Sequence, residues 1–301
     1  MKIGLGIGGR TIADAVANAQ AAEADGFASV WFSHIFGLDA MTACAMAGNA
    51  TGRIELGTFV VPTFPRHPQA MAQQASSTSD AAGGRFTLGI GLSHQVVIET
   101  MLGLSFARPA KHMEEYLAVL LPLLREGKVS FKGDLYSVNA NLEANGVPQP
   151  PPVIVAALGP KMLQLTGANA DGTATWTTGV KTLGDHIVPT ITKAAEAAGR
   201  PAPRIVAGLP VCVTEDPDAA RELAARQFAV YGTLPSYRAM LDREGAADPG
   251  DIALVGDEAA VATQVAALAD AGVTDFGASL YGSGEQIARG RTLLAELAAR
   301  G

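Results

Sequence analysis

The sequence predicts an α/β fold, a (β/α)8 TIM barrel, on three observations. Eight β-rich runs are each followed by helical sequence; the runs are apolar without in–out alternation; and no linker-like break interrupts the 301 residues. A run such as Val153-Ile154-Val155 is apolar at consecutive positions, as strands buried on both faces of a parallel sheet are. A doubly wound open sheet shares the alternation but normally has fewer units per domain. The expected organisation is therefore one barrel domain over residues 1–301, with insertion segments after strand four and after helix four.

Each element has a local reason. Strand one, 2–7, stops at Gly8-Gly9; Thr11 is placed to cap a helix over 12–25 that Gly26 ends. Strand two spans 27–32 and a helix 38–49, with Gly52 beyond it. Strand three, 53–61, is closed by Pro62 and Pro65, and Pro68 opens a helix over 68–81. Strand four, 85–90, leads through a long Gly- and Ser-containing loop to a helix over 110–125. The rhythm is then interrupted by a short hairpin, 128–138, turning near Gly133-Asp134, and by a Pro- and Asn-rich loop, 139–152. It resumes with strand five at 153–157, a helix at 160–169, strand six at 172–176 and a helix at 183–198. Strand seven covers 204–213; helical sequence over 216–241 is broken near Gly232 and Pro235. A helix at 258–271, strand eight at 274–280 and a helix at 285–299 complete the pattern.

Composition narrows the function class. Hydrophobic residues make up 48%, charged residues 17%, and the formal net charge is −7. With no basic stretch, a nucleic-acid partner is not expected. No run approaches the ~20 apolar residues of a membrane span. Asp14, Glu23 and Asp25 interrupt the apolar start, and no cleavage pattern follows. Cys44 and Cys212 fall in a helical and a strand pattern, far apart, which suggests buried thiols and a cytoplasmic setting.

Barrel sites form where strands end and βα loops begin. Two of the five histidines, His34 and His94, fall directly after strands two and four, where an imidazole can exchange a proton or donate to a developing anion. They are the candidate catalytic residues. His67 is placed to hydrogen-bond a loop, and His112 and His186 lie in helical sequence as structural or solvent-facing residues. The glycines of Gly4-Leu5-Gly6-Ile7-Gly8-Gly9 lie inside the first strand, and no acidic residue ends the second at dinucleotide spacing. They read as packing positions. No phosphate-loop lysine motif, GxSxG elbow or metal-spaced cluster occurs. Ala156-Ala157-Leu158-Gly159-Pro160 is more informative. A strand ends, glycine allows close approach, and proline opens a helix whose first amides have no internal acceptor and suit a phosphate.

Taken in order, several segments carry a family likeness. They are Ala22-Glu23-Ala24-Asp25-Gly26-Phe27 with Trp31-Phe32-Ser33-His34, Leu56-Gly57-Thr58-Phe59-Val60, Arg66-His67-Pro68 with Met71-Ala72-Gln73-Gln74, and Gly83-Gly84-Arg85-Phe86 with Leu88-Gly89-Ile90-Gly91. Pro122-Leu123-Leu124, Ala157-Leu158-Gly159-Pro160 and Ala170-Asp171-Gly172 continue the series. The chain resembles the bacterial luciferase-like superfamily, particularly its coenzyme F420-dependent oxidoreductases.

The resemblance implies a homodimer with a deazaflavin ring in the barrel mouth, His34 beside its reactive carbon, and a non-proline cis peptide between Phe59 and Val60 behind it. The cofactor-binding set it implies is Ser33, His34, Thr58, Phe59 and Val60, then Ala156, Ala157, Leu158 and Gly159 at the phosphate, and Trp176, Thr177, Thr178 and Gly179 near the tail. Two departures stand out. Ser33 replaces an Asp common before the histidine, and His94 replaces the acidic residue of the sugar-phosphate dehydrogenase branch. Cations for a second phosphate are sparse, with Arg66, Lys111, Lys161 and Lys181 as the candidates. The expected activity is hydride transfer between C5 of F420 and a small organic substrate; the alternative is an FMN-dependent monooxygenase using reduced flavin and oxygen. His94 is expected to complete a pocket wall with Trp31, Phe32, Phe59 and Trp176, and the two insertions to cover the mouth.

Overall fold

In the computed structural model, which describes residues 1–143 and 149–300, eight parallel strands close into a barrel. We number the barrel strands β1 (Lys2–Ile7), β2 (Ser29–Phe32), β3 (Glu55–Thr58), β4 (Phe86–Gly91), β5 (Val153–Ala156), β6 (Gly172–Trp176), β7 (Arg204–Val213) and β8 (Asp275–Leu280). β8 pairs with both β7 and β1, which closes the ring.

Caps account for several helix starts. Thr11 and Asp14 form a reciprocal capping box ahead of Ile12–Ala24, and the His67 imidazole accepts the Gln69 amide ahead of Pro68–Ala81. Strand three is shorter than expected. It ends at Thr58, the Phe59–Val60 peptide is cis, and Val61–Pro62 resumes pairing against β4. A three-residue strand, Leu254–Gly256, adds to β7 outside the ring. The loop after β4 contains a π-helix, Val96–Met101. The expected 183–198 helix is a short α-turn, Val180–Thr182, a π-turn, Leu183–Ile187, and then Val188–Ala197.

The barrel interior is filled in layers. Trp31 packs with Ile154, Ala174 and Val206, and Phe59 and Val60 lie against this group. Glycine makes room: a Cβ on Gly57 would sit 2.2 Å from the Trp31 ring, and one on Gly89 2.0 Å from the Thr58 carbonyl. Trp31 and Phe32 are buried and do not line the mouth, which corrects the expected pocket wall. At the opposite, amino-terminal end, Arg204 bridges Glu55 at 2.7 Å and Asp275 at 2.6 Å, beneath Trp31. Cys44 and Cys212 are free and buried. No helix among the described residues is long and apolar enough to cross a membrane.

The hairpin pairs Lys128–Lys132 with Ser137–Asn141, three residues further than expected; residues 144–148 of the expected 139–152 loop lie outside the described part. It packs on helix Pro109–Glu126, and its turn is held by Glu115, which accepts the amides of Asp134, Leu135 and Tyr136 at 2.8–2.9 Å. The hairpin is therefore tied to the outside of the barrel and contributes nothing to the mouth cavity. Burial pushes the Glu115 carboxyl up, but the three amides and Lys111 outweigh it and hold it at about 2. A carboxylate lowered in this way stabilises the fold fully above the unfolded value of about 4.5, and that contribution disappears as pH falls towards 2. Thermal unfolding of Glu115→Gln should therefore show a lower Tm at pH 7 and a shallower loss of Tm between pH 4.5 and 2 than the parent protein. Parallel curves would show that the carboxylate charge does not hold the turn.

Candidate active site

The carboxyl rim carries a cavity of about 800 Å³, within the ~300–1,000 Å³ range of small-molecule sites. Its floor and inner wall come from strand ends: Phe59 and Val60 after β3, Gly91 at the end of β4 with Leu92 to His94 after it, Ala156 at the end of β5 with Leu158 and Gly159 after it, and Trp176 at the end of β6. Two excursions supply the outer wall. One is the segment after β4, with Val96, Glu99 and Phe106; the other is Thr233–Tyr237, at a break between helices after β7. The first was expected near the mouth. The second was missed, because the break near Gly232 and Pro235 carries no chemical motif, only a helix interruption.

His34 follows β2 on the carboxyl rim and is not among the residues that line this cavity. Phe32 pairs with Thr58 across β2 and β3, so His34 lies one strand over from Val60. The Ala40 amide, at the start of helix Ala40–Asn49, donates to His34 Nδ1 at 3.2 Å. An N–H can only donate, so Nδ1 is an acceptor and the neutral ring carries its proton on Nε2. Burial lowers its basicity; the carboxylate of Asp39, 3.8 Å from Nδ1, opposes this and Arg66 adds to it. Asp39 is itself engaged by Arg66, Gln74 and the amide and hydroxyl of Thr42. The carboxylate sought immediately before the histidine, where Ser33 is exposed, is thus supplied from the next helix cap. His34 is a neutral Nε2–H donor.

His94 lines the cavity near Tyr237, with ring centroids 5.7 Å apart, and burial lowers its basicity. The remaining histidines are structural. His112 stacks on Phe64 and meets Thr63 Oγ1 at 3.0 Å; His186 Nε2 lies 2.8 Å from the Leu158 carbonyl, steadying the loop at the cavity edge.

Other expected cofactor residues divide by role. Thr58 and Ala157 are buried below the rim, and the Thr58 hydroxyl bonds Gly89 at both N and O. Gly159 opens helix Pro160–Asn169 without a side-chain cap, and a Cβ there would meet nothing within 4 Å. That leaves an open amide end facing the cavity edge. The helix end at Gly179 is filled instead: Glu244 accepts the Lys181 and Thr182 amides at 3.1 and 2.7 Å. Thr177 and Thr178 are buried, and Thr177 has φ 45°, a left-handed conformation it shares with the cavity residue Ser93. Among the described residues Thr177 Oγ1 has no hydrogen-bond partner, and the Trp176 indole N–H stands near the Tyr231 hydroxyl without reaching hydrogen-bond geometry. Of the four candidate cations, Arg66 is committed to Asp39 and Lys111 to Glu114 and Glu115.

A closed parallel barrel with a largely apolar rim cavity and donors converging on it defines a small-molecule barrel enzyme. The chain belongs to the luciferase-like monooxygenase family, whose model matches residues 3–290. It is 30% identical over 243 residues to a 5,10-methylenetetrahydromethanopterin reductase of Methanolobus tindarius, covering 79% of this chain and 72% of the relative. Its fold superimposes with a TM-score of 0.81 on the coenzyme F420-dependent tetrahydromethanopterin reductase from Methanopyrus kandleri, at 22% identity over 98% of both chains. It superimposes with a TM-score of 0.78 on the oxygenating constituent of 3,6-diketocamphane monooxygenase from Pseudomonas putida, in complex with FMN, at 18% identity over 100% of this chain and 98% of that one.

Proposed function

We propose that this chain is an F420-dependent oxidoreductase that moves a hydride between C5 of the deazaflavin and a small organic substrate. The observation that carries this reading is the meeting, at one cavity, of the cis Phe59–Val60 segment and the uncapped helix end at Gly159. The residues present fit such a cofactor. An open glycine leads to amides without acceptors, suited to a phosphate, and the unpaired Thr177 hydroxyl and Trp176 indole N–H lie along the same rim.

When bound, the deazaflavin supplies a two-electron hydride donor or acceptor. The chain supplies the rest. Phe59 and Val60 would hold the planar ring, the amides of Lys161 and Met162 would meet the phosphate charge, and the largely apolar lining would limit water around the bound ring. His34 Nε2–H donates to a substrate oxygen or nitrogen as charge develops there. His94, which lines the cavity, orients the substrate, also in its neutral form.

Anaerobic titration with F420 and with FMN tests the cofactor, followed by a screen of alcohols, imines, enones and nitro compounds for F420-dependent turnover. The proposal expects a spectral change and saturable binding with F420 and weaker binding of FMN. Tight FMN binding without F420 binding would favour an FMN-dependent monooxygenase, in keeping with the family's description.

A further inference from the structure

The wall of the cavity narrows what it can receive, on the reading that this is the substrate side of the redox site. Among the described residues no lysine or arginine lines it. Its one carboxylate among the described residues is Glu99, exposed at the outer edge on the π-helix after β4, which accepts the Gln95 side-chain amide at 2.8 Å and the Phe106 N–H at 3.2 Å. His94 adds no positive charge near neutrality, because burial lowers its basicity. The other wall groups are apolar, such as Leu92, Met162 and Leu234, or polar and uncharged, such as Gln95, Thr100, Trp176 and Ser236. The apolar character continues outward, for Val96 lines the cavity and is half-exposed at 55%.

Away from the open amides at Gly159, an anion entering this space would lose its hydration, find no lysine or arginine and face a carboxylate; an uncharged molecule with one polar group would find both apolar surface and hydrogen-bond partners. We propose that the part of the cavity bounded by the segment after β4 and by Thr233–Tyr237 selects uncharged, largely apolar organic substrates and rejects phosphates, sulfonates and carboxylates, with Glu99 as the specificity-determining residue. The anionic tail of a cofactor is left to the Gly159 end of the same cavity, where the helix amides are uncapped.

The test uses two probes that share one skeleton and differ by one charge, N-phenyl-1-naphthylamine and its 8-sulfonate. Binding to the full chain is read by tryptophan-sensitised emission, since Trp176, one of two tryptophans, lines the cavity. The neutral probe should bind at least about tenfold more tightly. Glu99→Gln should narrow that gap several-fold by improving the sulfonate alone, and Glu99→Arg should narrow it further. Equal binding of the two probes, a gap unchanged in both variants, or no sensitised emission with either probe would overturn the proposal. These measurements need neither cofactor nor turnover, so a wrong assignment of charge selection shows here. A wrong redox assignment would show as failure of the F420 titration.

Discussion

His34→Ala should lower kcat by about 10²–10³-fold at saturating cofactor, the loss seen when one preorganised donor to a developing anion is removed. His34→Gln should recover a substantial part of that loss, because its side-chain amide can donate where the imidazole Nε2–H does. The expectation rests on the Ala40 amide, which occupies Nδ1 and fixes the tautomer. Protonating Nδ1 would set two N–H groups against each other, and burial already lowers the imidazole's basicity. The kcat profile should therefore show no His34 titration at or above the ordinary histidine value of about 6.5. A base mechanism predicts otherwise: both variants equally impaired, and activity rising through that pH range. An unchanged kcat in His34→Ala would remove its assigned role.

Arg204→Met should cost about 3–5 kcal/mol of stability, as does breaking a largely buried ion pair by removing one partner. Arg204 sits between Glu55 and Asp275 at the amino-terminal ends of their strands, and the substitution leaves two carboxylates facing each other with little solvent. Asp275 is almost completely buried. Urea denaturation should show the midpoint falling without a change in slope. Replacing all three residues together with apolar side chains of similar volume should restore much of the loss, since no uncompensated charge would remain. A single-variant loss below about 1 kcal/mol would show that water reaches the triad and screens it.

Much of the barrel was legible because each β/α unit carries its own signals. The Thr11 cap, the His67-Pro68 helix start and the unbroken apolar run of β5 are local features, and local chemistry decides them. Strand Leu254–Gly256 was not legible, since three residues are too few to display a period. The division of strand three at Phe59 depended on the family likeness, not on periodicity.

The site divides along the same line. Rim positions follow from counting strands, so His94, Val60 and Gly159 fell into place together at the cavity. Contacts between distant segments do not follow from counting. Glu244 fills the helix end at Gly179 from a different part of the chain, and Thr233–Tyr237 becomes a cavity wall because of how helices after β7 turn back over the mouth. Asp39 was within reach as a signal: an acidic residue at a helix N-cap shortly after a rim histidine is a natural electrostatic neighbour for it.

The most direct measurement is a crystal structure of the protein grown with F420. Density is expected for the tricyclic ring flat against Phe59 and Val60, for the phosphate at the amides following Gly159, and for His34 Nε2 directed towards the open ring face. A ring bound on the outer helices, or one seated with its phosphate at the Glu244-filled end near Gly179, would contradict this placement.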